Sequence, residues 1–437
     1  MGFAETRTIT GVATSITAFV GRTLRGPTDR PVIVQSFAEF TRMYGGLWAE
    51  SPLSYAVSHY FLNGGRDALI CRVHRDAAKA TATLPVGFGV EAANEGAWGS
   101  RLRLRVEHAE SEPDDPPDTR FNLLVKDRAT GQVESFVHLS TVATHPRFVT
   151  DVLAAGSDLV RTKGPVPVTR PAMNGEGPPG ADPLEDPASS TPFDPDGNDG
   201  QPISDNEISH ENLEPRRRGL WLLDFADIVN LICIPPLTRG NDVPKSTWDK
   251  ALKYAAERRA IVLIDPKNDW TDPDVVLTEV PAIVTPSANG AIYYPPIKAP
   301  DPLRENQTDT FAPSGAVAGV IARMDTARGV WKAPAGMDAT LLGVDGLNHA
   351  LTDDQNGLLN TRAVNCLRQF PAVGRVVIWG ARTLFGDDPR GSEWKYLPVR
   401  RTALFIQESL VRGTQWWYSN LTTRRCGHRS GFTSVPS

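Results

Sequence analysis

The 437-residue sequence is poor in most of what marks a catalyst or a membrane protein. It holds four cysteines, Cys71, Cys233, Cys366 and Cys426, and none stands in a CxxC or CxxxxC pair. The first three lie inside apolar runs such as Ala68-Leu-Ile-Cys71, where a small buried thiol is the expected role and a metal ligand is not. Unpaired thiols of this kind fit synthesis in a reducing cytoplasm. No apolar run approaches the roughly 20 residues of a membrane span, and no basic-then-apolar signal segment opens the chain. Lys and Arg number 46 against 51 Asp and Glu, so the formal net charge of −5 leaves no electrostatic footprint for nucleic acid. The eight histidines show no HxH or HExxH spacing for zinc. There is no P-loop, no GxGxxG following a strand and no GxSxG elbow. The expectation is therefore no catalytic residue, no cofactor and no metal.

Two features were the strongest candidates against that expectation. Asp265 ends a predicted parallel strand, the place where open α/β sheets bind ligands, and an α/β enzyme built on it is the alternative reading. Pro266 follows directly, which disfavours a phosphate-cradling helix start there, so a strand-terminal turn carboxylate is expected. Asp194-Pro-Asp196-Gly-Asn198-Asp-Gly200 resembles a calcium loop. Its glycine comes one place late, Asp205 rather than Glu stands at the twelfth position, and flanking helices are not evident.

What is present is the apolar patterning of a large globular chain. Apolar residues make up 40% and charged residues 22%, enough to fill more than one core at this length. Val12–Gly21 reads as a buried strand, Ser36–Gly45 and Pro52–Phe61 as helices ended by glycines, and Asp67–Val73 as a returning strand. Arg101–Val106 alternates with period two, Phe121–Val125 and Glu134–His138 read as strands flanking a turn at Ala129-Thr-Gly131, and a helix is expected over Pro146–Leu153. Residues 166–218 are dense in Pro, Gly, Asp, Ser and Asn and read as a flexible surface loop. Ile228–Pro236, a helix over 246–259 and Ala260–Asp265 form a β-α-β unit, normally a parallel pair. Further strands are predicted at 290–296 and 376–383. Ser314–Thr326, whose Ser314-Gly-Ala-Val-Ala-Gly319 spacing permits close backbone approach, and Pro398–Val411 read as helices. The fold class is α/β (mixed α+β). The expected units are a core from 1–75 and 219–416, an inserted β-rich domain over 76–165, the loop 166–218, and a tail over 417–437.

Several of these stretches, taken in order, resemble the phage tail sheath family. They include Gly11-Val-Ala-Thr-Ser-Ile-Thr-Ala-Phe-Val-Gly21, Tyr44-Gly45-Gly46, Gly96-Ala-Trp98-Gly99, Ala291-Ile-Tyr-Tyr-Pro-Pro296 and Pro313-Ser-Gly-Ala-Val-Ala-Gly319. Arg328-Gly-Val-Trp331-Lys-Ala-Pro334, Val377-Ile-Trp-Gly-Ala-Arg382, Trp394-Lys-Tyr396 and Phe405-Ile-Gln-Glu408-Ser409 complete the series. The resemblance implies a structural subunit that polymerises around an inner tube and contracts to drive it through a target envelope. The energy would be stored in subunit packing, with no nucleotide cycle. It implies as partners other sheath subunits, an inner tube protein, baseplate and terminal cap proteins. Nucleic acid and direct membrane insertion are not expected. The product would be a particle component made in the cytoplasm. A sheath-like cap that does not polymerise is the alternative within that family. Arg400, Arg401 and Arg412 on the closing helix are candidate contacts to the inner tube or a neighbouring subunit, against a solvated helix face.

Both ends depart from the family pattern. Family members begin with a stretch similar to Pro-Gly-Val-Tyr-(Val/Ile)-Glu-Glu, and they extend neighbours' sheets with terminal arms. Here the corresponding residues are Met1–Thr10. After Trp416, the run Trp417-Tyr-Ser-Asn-Leu-Thr-Thr-Arg-Arg-Cys426 matches the family's Val-Val-Phe-Glu-Pro-Asn continuation read one nucleotide later. Residues 417–437 are therefore expected to be a frame-shifted tail, and the chain is expected to fold as a protomer but polymerise poorly unless neighbours compensate.

Overall fold

The computed structural model describes residues 10–110, 115–370 and 374–426, with side chains described as far as Thr414. Turn residues punctuate the first segment. β1 (Thr17–Gly21) is buried along its length and is followed by the short β2 (Val32–Val34). α1 (Phe37–Tyr44) starts where the Ser36 hydroxyl accepts the Glu39 N–H, and it stops at Gly45 with φ 92°. α2 (Pro52–Leu62) has Ser51 as its cap and proline in its first turn, and β3 (Ala68–Arg72) returns to β1. β2 was not anticipated, because three residues carry no readable period. β1 begins at Thr17 and not at Val12, because side chains described below hold residues 12–16 off the sheet.

The chain then leaves the core. β4 (Thr81–Leu84), β5 (Phe88–Ala92), β6 (Leu102–His108), β7 (Arg120–Asp127), β8 (Val133–Ser140), α3 (Val149–Gly156) and β9 (Val160–Lys163) follow. They form two small sheets, β4-β5-β9 and, with β10 (Thr191–Pro192), β10-β6-β7-β8. Leu102, Leu104 and Val106 alternate on β6, as Phe121, Leu123 and Val125 do on β7, and all face one apolar cluster with Phe88 and Trp98. Residues 166–218, expected as a loop with too little apolar surface to bury, are instead laid against other segments. They contribute β10 and α4 (Asp205–Ser209), the latter with a Ser204/Glu207 capping box. Phe193, Ile203 and Ile208 are buried. Their sparse apolar side chains suffice because each enters a core that other segments build.

The returning segment is β11 (Leu231–Cys233), α5 (Lys245–Glu257), β12 (Ile261–Ile264), α6 (Pro273–Ile283), β13 (Gly290–Tyr294), β14 (Ile297–Asp301), β15 (Gln307–Phe311), α7 (Ser314–Arg328), β16 (Gly346–Leu347), α8 (Asp353–Thr361), β17 (Val364–Gln369), β18 (Val376–Ile378) and α9 (Leu397–Cys426). The strand order β18-β17-β13-β12-β11-β1-β3-β2 joins both core segments in one eight-stranded sheet, parallel except at its two edges. The expected β11-α5-β12 unit is present and parallel. Consecutive residues alternate between two cores: Ile232, Val262 and Ile264 pack with Trp248 and Ala251 of α5 on one face. Cys233, Ile261 and Leu263 pack with α2 and α7 on the other. α7 lies tight on α2, since a Cβ on Gly315 would meet the Ala56 carbonyl oxygen at 2.1 Å and one on Gly319 the Tyr60 oxygen at 2.4 Å. Cys71, Cys233 and Cys366 are buried free thiols, as their apolar runs indicated.

Candidate functional site

The long-range polar contacts concentrate where the first residues, the end of α7 and the start of α9 meet. On α9, Leu397, Arg401 and Leu404 fall three and four apart, so they share the inward face, and all are buried. Arg401 reaches the end of α7 and donates to both Asp325 carboxylate oxygens, at 2.8 and 2.5 Å, with the side chains 3% and 4% exposed. A bidentate pair of this kind fixes orientation as well as charge. The same guanidinium donates to the Thr14 carbonyl at 2.9 Å, and the Thr14 hydroxyl donates to Asp325 at 2.7 Å. Asn230, just before β11, clamps the same strap: its Nδ2 donates to Ala13 O and its Oδ1 accepts the Ile16 N–H, both at 2.9 Å. One turn beyond Arg401 on α9, Gly11 is pressed against the Phe405 ring, and two turns beyond, Ser409 Oγ accepts the Val12 N–H at 3.4 Å.

A second charge cluster borders this node. Glu408 accepts from Arg259 at 2.5 Å and from Arg412 at 2.7 Å, and Arg412 also grips both oxygens of Asp227 at 2.8 Å. Burial pulls the Glu408 carboxyl upward, but the hydrogen bonds from Arg259 and Arg412 outweigh it and hold the group below its ordinary range. The Arg412 guanidinium is raised by its bonds to Asp227 and Glu408. A cleft of about 360 Å³ opens here, lined among others by Thr14, Asp227, Asn230, Glu408 and Arg412. On the opposite face of α9, Val399, Ile406 and Leu410 are about half exposed, at 47%, 50% and 47%.

The three sequence-predicted arginines all have partners inside the chain. Arg401 is committed to Asp325 and Thr14. Arg400 donates to Asn289 Oδ1 at 2.8 Å and lies 5.0 Å over the Trp394 ring, and burial lowers its pKa. Arg412, with its side chain 29% exposed, is the one of the three nearest the surface. Their partners Thr14, Asp227, Asn289 and Asp325 were not foreseen. The available signal was Asp325 itself, the one carboxylate of α7, placed after a small or apolar run over 314–322.

Asp265 has a structural task. Its two oxygens accept the Ser314 N–H at 2.8 Å and the Ser314 hydroxyl at 2.7 Å, which caps the start of α7 from the end of β12. Burial pushes its carboxyl up to about 7 against the pull of those two bonds. The Asp194–Gly200 turn is tied to β4, to the loop before β6 and to itself: Asp194 accepts from Thr81, Asp199 from the Ala97 N–H and Asn198 from the Gly200 N–H. Among the described residues, no group of three or more His, Cys, Asp or Glu is placed to hold a metal ion. The expected frame-shifted tail lies outside the described side chains, and from residue 427 outside the described backbone.

Residues 229–384 match the family model for the phage tail sheath protein central domain. No curated protein matches the sequence. Among solved structures, the sheath tail protein Lin1278 of Listeria innocua superposes with a TM-score of 0.63 at 13% identity, covering 95% of this chain and 80% of its own. The sheath tail protein DSY3957 of Desulfitobacterium hafniense gives 0.55 at 12% identity, covering 98% and 86%. At such identities the likeness establishes the fold, and the family match covers the segment from β11 to β18 and a few residues beyond. Residues 229–384 thus match a phage tail sheath central domain, within a chain that shares the fold of sheath tail proteins over nearly its whole length.

Proposed function

We propose that the chain is a protomer of a contractile sheath. Copies pack helically around an inner tube and are held at one end by a baseplate. Shortening of the lattice then drives the tube through a target envelope. The observation that carries this reading is the sheath central domain over residues 229–384. The architecture suits the task. A subunit that moves between two lattices must keep its shape while its contacts change, and a sheet covered on both faces does so. Load entering through either end of the chain reaches the buried Arg401–Asp325–Thr14 node, which ties the first residues, α7 and α9 together. Arg401 then acts as an internal anchor, and Arg412 is the candidate among the three arginines for touching a neighbour or the inner tube. No described helix is long and apolar enough to cross a membrane, and the protein acts as a component of a particle assembled in the cytoplasm.

The test is immunogold labelling of particles made by the complete gene cluster with an epitope-tagged copy of this chain. Label along the whole striated tube supports the protomer; label confined to a tube end overturns it in favour of a cap.

A further inference from the structure

α2, the loop after β11 and the β14–β15 hairpin enclose a cleft of about 410 Å³. It opens beyond the carboxyl ends of β11 and β12, whose following loops supply Pro236, Arg239 and Asn268. β1 pairs with β11, and the strand order runs outward from these two in both directions, to β3 and to β12. Such a reversal is where open α/β sheets leave a crevice for ligands.

The ionic side chains of this cleft are already engaged inside the chain. Arg239 donates to the Ala49 carbonyl at 3.0 Å and to Asp301 at 2.9 Å, and it is paired with Asp309, which Arg304 also reaches at 3.1 Å. The Tyr55 hydroxyl donates to the other Asp301 oxygen at 2.9 Å. Among the lining side chains a charged ligand therefore finds no unpaired counter-ion.

His59 differs from these. It lies one turn beyond Tyr55 on α2, is 7% exposed, and stands edge-on to Phe311 with ring centres 5.2 Å apart. Its Nδ1 is enclosed and has no hydrogen-bond partner. Burial lowers its pKa to about 4, so at neutral pH the ring is uncharged and carries one N–H and one lone pair. A buried polar atom left without a partner is rare and costly. The rest of the wall is apolar: Pro52, Ala56, Pro236, Ala312 and the stacked rings of Tyr55 and Phe311, 4.9 Å apart. A hydroxyl both donates and accepts, so it complements a neutral imidazole in either tautomer. An aromatic ring gains further from edge-on or offset contact with such a wall. We propose that this cleft binds a small uncharged aromatic alcohol of the phenol class, its ring packed among Pro52, Pro236 and Phe311 and its hydroxyl hydrogen-bonded to the His59 imidazole.

The test uses the full chain and isothermal titration with p-cresol as the probe, against toluene and benzoate as comparators. Wild type, His59→Phe and Ala312→Leu are compared, with circular dichroism to confirm that each folds. The expected result is saturable uptake of one p-cresol per chain, with toluene about tenfold weaker because it lacks the hydroxyl, and no uptake of benzoate. His59→Phe should bring p-cresol down to the affinity of toluene. Ala312→Leu, which keeps His59 and narrows the cleft, should weaken both. A cleft that holds only water would show no saturable uptake. That result, toluene or benzoate binding as tightly as p-cresol, or an unchanged p-cresol affinity in either variant would overturn the proposal. Neither result alters the sheath reading, which rests on the match over 229–384.

Discussion

Replacing Arg401 by methionine removes the cation from the buried node while leaving an apolar side chain of similar reach. Asp325, with its side chain 4% exposed, would keep only the Thr14 hydroxyl as a partner, and the Thr14 carbonyl would lose its donor. Stranding one member of a buried pair costs about 3–5 kcal/mol, because the remaining charge stays desolvated. At about 2–4 °C per kcal/mol for a core of this size, the melting temperature should fall by roughly 6–20 °C. Residues 10–16 should also become more open to proteolysis, since Arg401 and Asp325 hold Thr14 from both sides. The Arg401→Met/Asp325→Leu double variant removes both charges, and should recover about 0.5–3 kcal/mol relative to the sum of the single changes. Thermal melts followed by circular dichroism, with proteolysis of the first residues as a second readout, measure each term. A single variant melting within 2 °C of wild type, or strictly additive costs, would refute the reasoning.

Gly319→Ala should destabilise by about 1–3 kcal/mol in urea unfolding, since its Cβ would sit 2.4 Å from the Tyr60 carbonyl oxygen and push α7 off α2. Asp265→Ala should cost about 1–3 kcal/mol by leaving the buried Ser314 N–H without an acceptor, whereas Asp265→Asn keeps an acceptor there and should cost much less. Because the folded Asp265 carboxyl sits near 7, above its unfolded value, the folded state holds the extra proton and its contribution falls as pH rises from about 4 to 7. Relative to Asp265→Asn, wild-type stability should therefore decline across that window by up to about 1.4 kcal/mol per pH unit. His59 works oppositely: burial lowers it to about 4, so its contribution is present above about 6.5 and is lost as pH falls toward 4. Unfolding midpoints of a His59→Phe variant over pH 4–7 should lose that acid-side dependence.

The fold was legible where one rule governs a stretch of chain. Two apolar runs joined by an amphipathic helix marked the β-α-β unit at 231–264, and the Ser-Gly-Ala-Val-Ala-Gly run marked a helix that a neighbouring backbone can approach closely, though not that the neighbour is α2. Strand order was not legible: that β11 inserts beside β1 after an excursion of more than a hundred residues depends on which buried faces meet in space. The segment at 166–218 misled for the same reason, since its composition describes what it can bury alone and not what others offer it. Asp265 was read as a strand-terminal turn carboxylate; its partner, Ser314, lies 49 residues away and could not be named. The closing-helix arginines were located but their direction was not. Charge on a helix suggests solvent by default; the distant Asp325 and Asn289 engage Arg401 and Arg400 inside the chain, while Arg412 pairs with Asp227 nearer the surface.

The central claim, that this chain is the repeating unit whose rearrangement shortens a sheath, is tested most directly by counting. Particles carrying a gold-labelled copy should be imaged before and after triggering, and labels counted per tube in long and short forms. The account predicts the same number of labels per tube in both states at a closer axial spacing after shortening. A label count that falls in proportion to length, or label absent from the striated segment, would contradict it.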